Sequence, residues 1–398
     1  MVLILVVGIL AAGCEAGESD GPLYTSADSA GVLVVESRAP QWGETRGWSV
    51  EAEPSLVIGA ESGAPEILFS RVAGAVRLED GRIVVADGQT NELRWFGPDG
   101  SYLRTAGGPG EGPGEFQYLR ALHRCAPDVL HAFDLNWQAR LYSLEGEFLR
   151  SYRITEPGRE RGPYSLGCYP GGPIAITGWD DGLDRTGGGP PWPMGFYAQE
   201  APAWILNLEG APIAELGTFV TSERIGSPGG SGPHPFGRAA AVASGPDGVA
   251  IARGHRMEAE RYDASGRLVQ LFRGPDPRLE LRSEDVATWR ETALEDVPPE
   301  LMAMRRREMQ EMPMPDSIPA VDRILVDVHG HLWLRYFRIP RSTGPEQWAV
   351  FAPEGIWLGR LETPESMEIL DIGDDHVLGL HRDPLGVERV RLHRLDRN

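Results

Sequence analysis

Oxygen-bearing side chains recur just after short apolar runs in the first half of this chain. Asp87 and Asn91 follow IVVA, Asp134 and Asn136 follow VLHAF, and Asp180, Asp181 and Asp184 follow IAITGW. Hard oxygen donors of this kind suit calcium or another divalent cation. The corresponding positions later in the chain are basic: His255 and Arg256, Arg338 and Arg341, then His381 and Arg382 beside Asp383. Brought to one rim, these residues would form a mouth acidic on one side and basic on the other. Convergent polar loops on a rigid scaffold are where ligands commonly bind. Turns are also polar for local reasons, and that plainer account competes with the first.

Other chemistry is sparser. GGPGEGPGEF (107–116) lacks the Lys-Ser/Thr of a phosphate loop and reads as a crossover between strands. There is no G-x-S-x-G elbow for a serine nucleophile. His329 and His331 in VHGHLW fall on a turn and its following strand, which implies structural duty. Met309, Met312 and Met314 offer thioethers to copper(I), although methionines on an amphipathic helix usually pack. Trp192, Phe196 and Tyr197 lie in a Gly/Pro-rich stretch that could present them for recognition or fold back over the body.

The first thirteen residues, MVLILVVGILAAG, carry no charge and end in small residues before Cys14. A short apolar run with a small-residue cleavage site reads as an export signal. It is shorter than the roughly 20 apolar residues that span a bilayer. LAAGC resembles the bacterial lipobox, so residues 1–13 are expected to be removed, Cys14 lipidated, and 14–30 left as a polar tether. The protein is then expected to face the periplasm or the cell exterior. In that oxidising setting Cys125 and Cys168 are an even pair, open to a disulfide or to two buried thiols.

A net charge of −20 repels nucleic acid and anionic lipid, so neither is an expected partner and membrane contact is expected through the anchor alone. No cofactor is expected, apart from a divalent cation if the carboxylates converge.

Positioning these residues requires a repeated scaffold, and the sequence contains one. A polar turn leading into an apolar strand recurs at 79–87, 126–134, 170–178, 245–253, 327–336 and 373–381. Between these copies lie pairs of strands joined by an acidic-Gly turn, as in LRWFGPDGSYLRT and ERYDASGRLVQLF. Four antiparallel strands per repeat predict blades of a β-propeller. The sixth copy ends at the C-terminus before its outer strand, so an N-terminal strand is expected to complete it and close the ring. The two candidates are 26–37 and, second, 48–59. An irregular Gly/Pro-rich insertion is expected at about 180–201. A helical one is expected at about 281–318, with Ser283 as cap and a second helix after Pro298 and Pro299.

VVADGQTNELRWFGPDGSYLRTAGGPGEGPGEF (84–116) resembles the NHL repeat, and residues 26 onward resemble bacterial six-bladed propeller lipoproteins of unassigned function. The expected architecture is therefore all-β: a six-bladed propeller over 31–398, with the helical insertion between blades four and five. The expected function is binding or scaffolding at the cell envelope, by a monomer that recognises a peptide, protein or glycan. The alternative is a hydrolase similar to the propeller lactonases, which hold a divalent metal around the channel; the glutamate they require has no counterpart here.

Overall fold

The computed structural model describes residues 22–43, 47–134, 138–154, 164–168, 174–177, 192–227, 230–295 and 297–397. Four short strands come first: β1 (Tyr24–Ser29), β2 (Val32–Ser37), β3 (Ser49–Val50) and β4 (Leu56–Ile58). Sheet one follows as β5 (Val72–Arg77), β6 (Ile83–Asp87), β7 (Glu92–Phe96) and β8 (Tyr102–Gly107). Sheet two is β9 (Leu119–Ala126), β10 (Val129–Asp134), β11 (Gln138–Ser143) and β12 (Phe148–Arg153). Sheet three contains β13 (Tyr164–Cys168), β14 (Ile174–Thr177), β15 (Gly195–Leu206), β16 (Pro212–Ser227) and β17 (Gly230–Pro233). Sheet four is built on β18 (Ala241–Gly245), β19 (Gly248–Ala252), β20 (Glu258–Tyr262) and β21 (Leu268–Arg273). Two helices, α1 (Ser283–Thr292) and α2 (Met302–Glu311), precede sheet five: β22 (Val321–Val326), β23 (Leu332–Tyr336), β24 (Glu346–Phe351) and β25 (Trp357–Thr363). Sheet six has β26 (Met367–Ile372), β27 (His376–Arg382) and β28 (Glu388–Asp396). This is a propeller-type all-β fold.

The core lies between sheets. Val84, Ala86, Leu93 and Trp95 of sheet one meet Leu122, Leu130, Ala132 and Tyr142 of sheet two. On its other side, Ile83, Val85 and Phe96 meet Leu378, Leu380 and Val390 of sheet six. With both faces covered, β6 is buried at every residue and reads as a continuous apolar run. The outer β8 and β12 are mostly exposed. Cys125 of β9 and Cys168 of β13 form a disulfide between sheets two and three, their Cα atoms 5.0 Å apart.

The N-terminal residues run along the outer edges of three consecutive sheets. The strand within 26–37, expected first as the missing outer strand of sheet six, instead lies parallel to β21 of sheet four, with Leu33 opposite Gln270. The chain then crosses sheet five, where Gln41 N and Trp42 N donate to the carbonyls of Trp357 (3.0 Å) and Leu358 (2.7 Å). The second candidate, 48–59, completes sheet six: β3 and β4 pair antiparallel with β28. Gly355 turns beneath this strap at φ +99°, and a Cβ there would come within 2.8 Å of Val35 Cβ, so the turn needs glycine. Because β1 starts at Tyr24, strand structure begins inside the segment expected as a tether. Cys14 lies outside the described residues.

The insertions also differ from expectation. Residues 195–201 belong to β15, which forms a long two-stranded ribbon with β16. Ser283 is the first helical residue of α1, not its cap; Arg282 holds the cap position, and its N–H donates to Asp285 Oδ2 at 2.9 Å. Phe236 after β17, Trp289 of α1, Met309 of α2 and Ile318 share a small core, joined by Phe337 and Ile339 after β23. Met312 and Met314 pack there too, which accounts for those methionines without copper.

Candidate binding face

In five of the six sheets a charged pair bridges the second and third strands near the end where one stops and the other starts; the corresponding residues of sheet three lie outside the described ones. In sheet one, Asp87 Oδ2 lies 3.3 Å from Arg94 Nη2, and both side chains are buried. Burial pushes the Asp87 carboxyl above its usual range, against the pull of the Gln89 amide and Arg94. Arg94 also donates to the carbonyls of Pro65, Glu66 and Leu68, fixing the entry to this sheet. In sheet two, Asp134 Oδ2 accepts from Arg140 Nη1 at 2.6 Å, again between buried side chains.

The polarity then reverses. Arg253, just past β19, pairs with Glu260 of β20 at 2.7 Å. Arg335 of β23 pairs with Glu346 of β24 at 2.7 Å and with Asp322 of β22 at 2.7 Å. Arg382 at the end of β27 pairs with Glu388 of β28 at 2.7 Å. Asp87, Asp134 and Arg382 are thus each one strand's share of an ion pair whose opposite charge comes from the third strand, so these three are neutralised within their own sheets.

The other expected site residues fall as follows. Asn91, at φ +58°, accepts from Leu119 N at 2.9 Å and so ties the turn of sheet one to sheet two. His255 and Arg256 are exposed after β19, and Arg256 is 3.2 Å from Asp276. Arg338 donates to Ser342 O at 2.6 Å and lies 3.6 Å from Glu346. Burial lowers the His381 imidazole, and Arg391 and Arg389 nearby lower it further. Asn136, Asp180 and Asp181 lie outside the described residues.

The structure connects several of these groups from sheet to sheet. Arg323 of β22 donates to Ile369 O of β26 at 2.8 Å and lies 3.7 Å from Glu368, which pairs with Arg382 at 3.2 Å. Glu388 Oε2 in turn accepts from Val72 N of β5 at 2.6 Å. Sequence reasoning missed Arg94, Arg140, Glu260 and Glu388, although each sits only six or seven positions beyond its partner. Among the described residues, no group of three or more His, Cys, Asp or Glu is placed to hold a metal. His331 contacts Asp327 (3.0 Å) within the turn between β22 and β23, and His329 of that turn contacts Asp374 (2.8 Å) in the turn between β26 and β27. The run 107–116 links β8 to β9, its backbone held by a Gly110–Phe116 hydrogen bond.

The aromatic residues of 187–197 sit on the ribbon. Trp192 Nε1 donates to Ser227 O at 2.8 Å, and the Tyr197 hydroxyl meets Ser231 Oγ at 2.5 Å. Met194 and Phe196 keep about half their surface exposed.

No protein-family model matches the chain. No curated protein matches it. Among solved structures it is similar to a member of the DUF4221 family from Bacteroides vulgatus, at 9% identity over 89% of this chain and 100% of that one, with a TM-score of 0.48. It is also similar to virginiamycin B lyase from Staphylococcus aureus, at 12% identity, covering 87% and 99%, TM-score 0.40. A third is regucalcin, a calcium-binding protein from Agrobacterium tumefaciens, at 11% identity, covering 83% and 92%, TM-score 0.37. None of these lends a site residue to this chain.

Proposed function

We propose that the chain is an exported, lipid-anchored six-bladed propeller, closed by its N-terminal segment, that binds a peptide, protein or glycan at the cell envelope. The binding face is the one where the second strands end and where the ribbon and helices project. The observation that carries this reading is the ribbon itself. Phe196 is held half-exposed on a hydrogen-bonded strand pair and Met194 lies just before it, an apolar contact beside polar loops. The paired charges below support the same reading, since side chains committed to one another serve better as scaffold than as general acid or base.

The test uses purified protein with an array of cell-wall glycans and soluble peptides of varied charge, together with lactone and ester substrates. Saturable binding to one ligand class, weakened about tenfold or more by Phe196→Ala, is the expected result. Divalent-cation-dependent turnover of a lactone or ester, abolished by a chelator, would overturn it in favour of a metal-dependent hydrolase.

A further inference from the structure

His234 joins the two parts of the projection over the binding face. It follows β17, its N–H bonded to the Glu223 carbonyl of the ribbon, and is 3% exposed. Its Nε2 lies 2.9 Å from the carbonyl oxygen of Pro313, in the segment after α2. Its Nδ1 lies 3.2 Å from the backbone nitrogen of Phe236. A carbonyl only accepts and an amide N–H only donates, so the contacts set the tautomer: Nε2 carries the proton and Nδ1 accepts. A second proton would have to enter at Nδ1, facing the Phe236 N–H, inside an apolar wall.

No uncommitted carboxylate faces that ring to receive the charge. On its own ribbon, Glu223 already accepts from Arg238 N (2.8 Å) and Arg238 Nε (3.0 Å), and Arg224 is held by Ser231. The Phe196 and His234 ring centroids are 5.7 Å apart in an edge-to-face contact, and Phe236 in turn packs on Trp289 of α1. From α1, Arg290 donates to Met309 O at 3.0 Å; on α2, Glu308 and Glu311 pair with Arg305 and Arg307 at the surface. Asp316, beyond Pro313, is exposed.

We propose that His234 is a pH-sensitive latch: neutral, it accepts from the Phe236 N–H and so holds Phe236 against Trp289 of α1; protonated in mild acid it keeps its bond to Pro313 but repels that N–H, and the Phe236–Trp289 packing loosens and uncovers the face beneath. Burial holds the imidazole below its ordinary range, more than the Pro313 carbonyl and Glu223 raise it. The clasp is therefore complete above about pH 6.5 and is lost as the pH falls through the lower folded-state value. What the uncovered face takes rests on the binding reading above; the latch itself is measured on the helices alone.

Amide exchange in peptides spanning 283–311 is compared at pH 7.5 and pH 5.5, corrected for intrinsic rates. Wild type is expected to exchange about tenfold faster at the lower pH. His234→Gln, which keeps an Nε donor and does not titrate, is expected to show no such increase. No increase in wild type, or the same increase in His234→Gln, would overturn the latch. If the variant already exposes the helices at pH 7.5, NMR titration of wild-type His234 decides. A midpoint that coincides with helix exposure supports the latch, and exposure while the imidazole stays neutral defeats it.

Discussion

The guanidinium of Arg397 lies over the indole of Trp48, 4.2 Å from the ring centroid, and donates to Asp327 Oδ2 at 2.8 Å. The penultimate residue thereby joins the N-terminal strap to sheet five. It also donates to the carbonyls of Gly373 and Asp374 in sheet six. Burial raises the Asp327 carboxyl, but His331 and Arg397 together hold it below its usual range.

Arg397→Ala should therefore destabilise the protein by about 3 kcal/mol, because it leaves the buried Asp327 carboxylate short of its cation. Denaturant unfolding measures the loss. Exchange in residues 48–58 should rise more than exchange in sheets one to three.

Replacing Cys125 and Cys168 with alanine should cost about 2–4 kcal/mol, through the freedom the 43-residue separation regains when unfolded. Thermal unfolding with and without reductant checks this. A wild-type transition indifferent to reductant would contradict it.

Asp134→Ala should cost about 3 kcal/mol by leaving Arg140 charged, buried and short of its carboxylate. The double change Asp134→Leu with Arg140→Met should cost less than the single one. A double-mutant cycle reads the coupling, and additive losses would refute the pairing.

His131 is fully buried, with Nε2 2.5 Å from the Tyr152 hydroxyl. Burial first, then His123 and Arg150, hold its imidazole well below the usual range. Its neutral form therefore stabilises the fold above about pH 6.5, and that contribution shrinks as the pH falls. Wild type should lose up to about 1.4 kcal/mol more per pH unit than His131→Gln below that point. Urea unfolding from pH 7.5 to 5 measures the difference in slope.

The sheets were readable in the sequence because each strand is local: VVAD before a turn and LRWF after it state both the strands and their pairing. The helical insertion was readable for the same reason. The strap was harder. VLVVES alternates well enough for any outer edge, and alternation specifies a face rather than a partner, so its place on β21 could not be read. The charges failed differently. Asp87 and Arg382 were visible, but the side chain that neutralises each lies across a turn on the next strand, where a reading of second strands alone does not look.

The strap has a consequence for the order of events when the chain is made. Residues 49–58 emerge from the ribosome early, yet Ser55 finds its partner at Leu392, 337 positions later. Contacts that distant are slow to form, so most of the body must assemble while the first strands wait unclaimed. Sheet six gains its outer edge only when the final strand arrives. Until β28 is made, residues 49–58 have no strand to pair with.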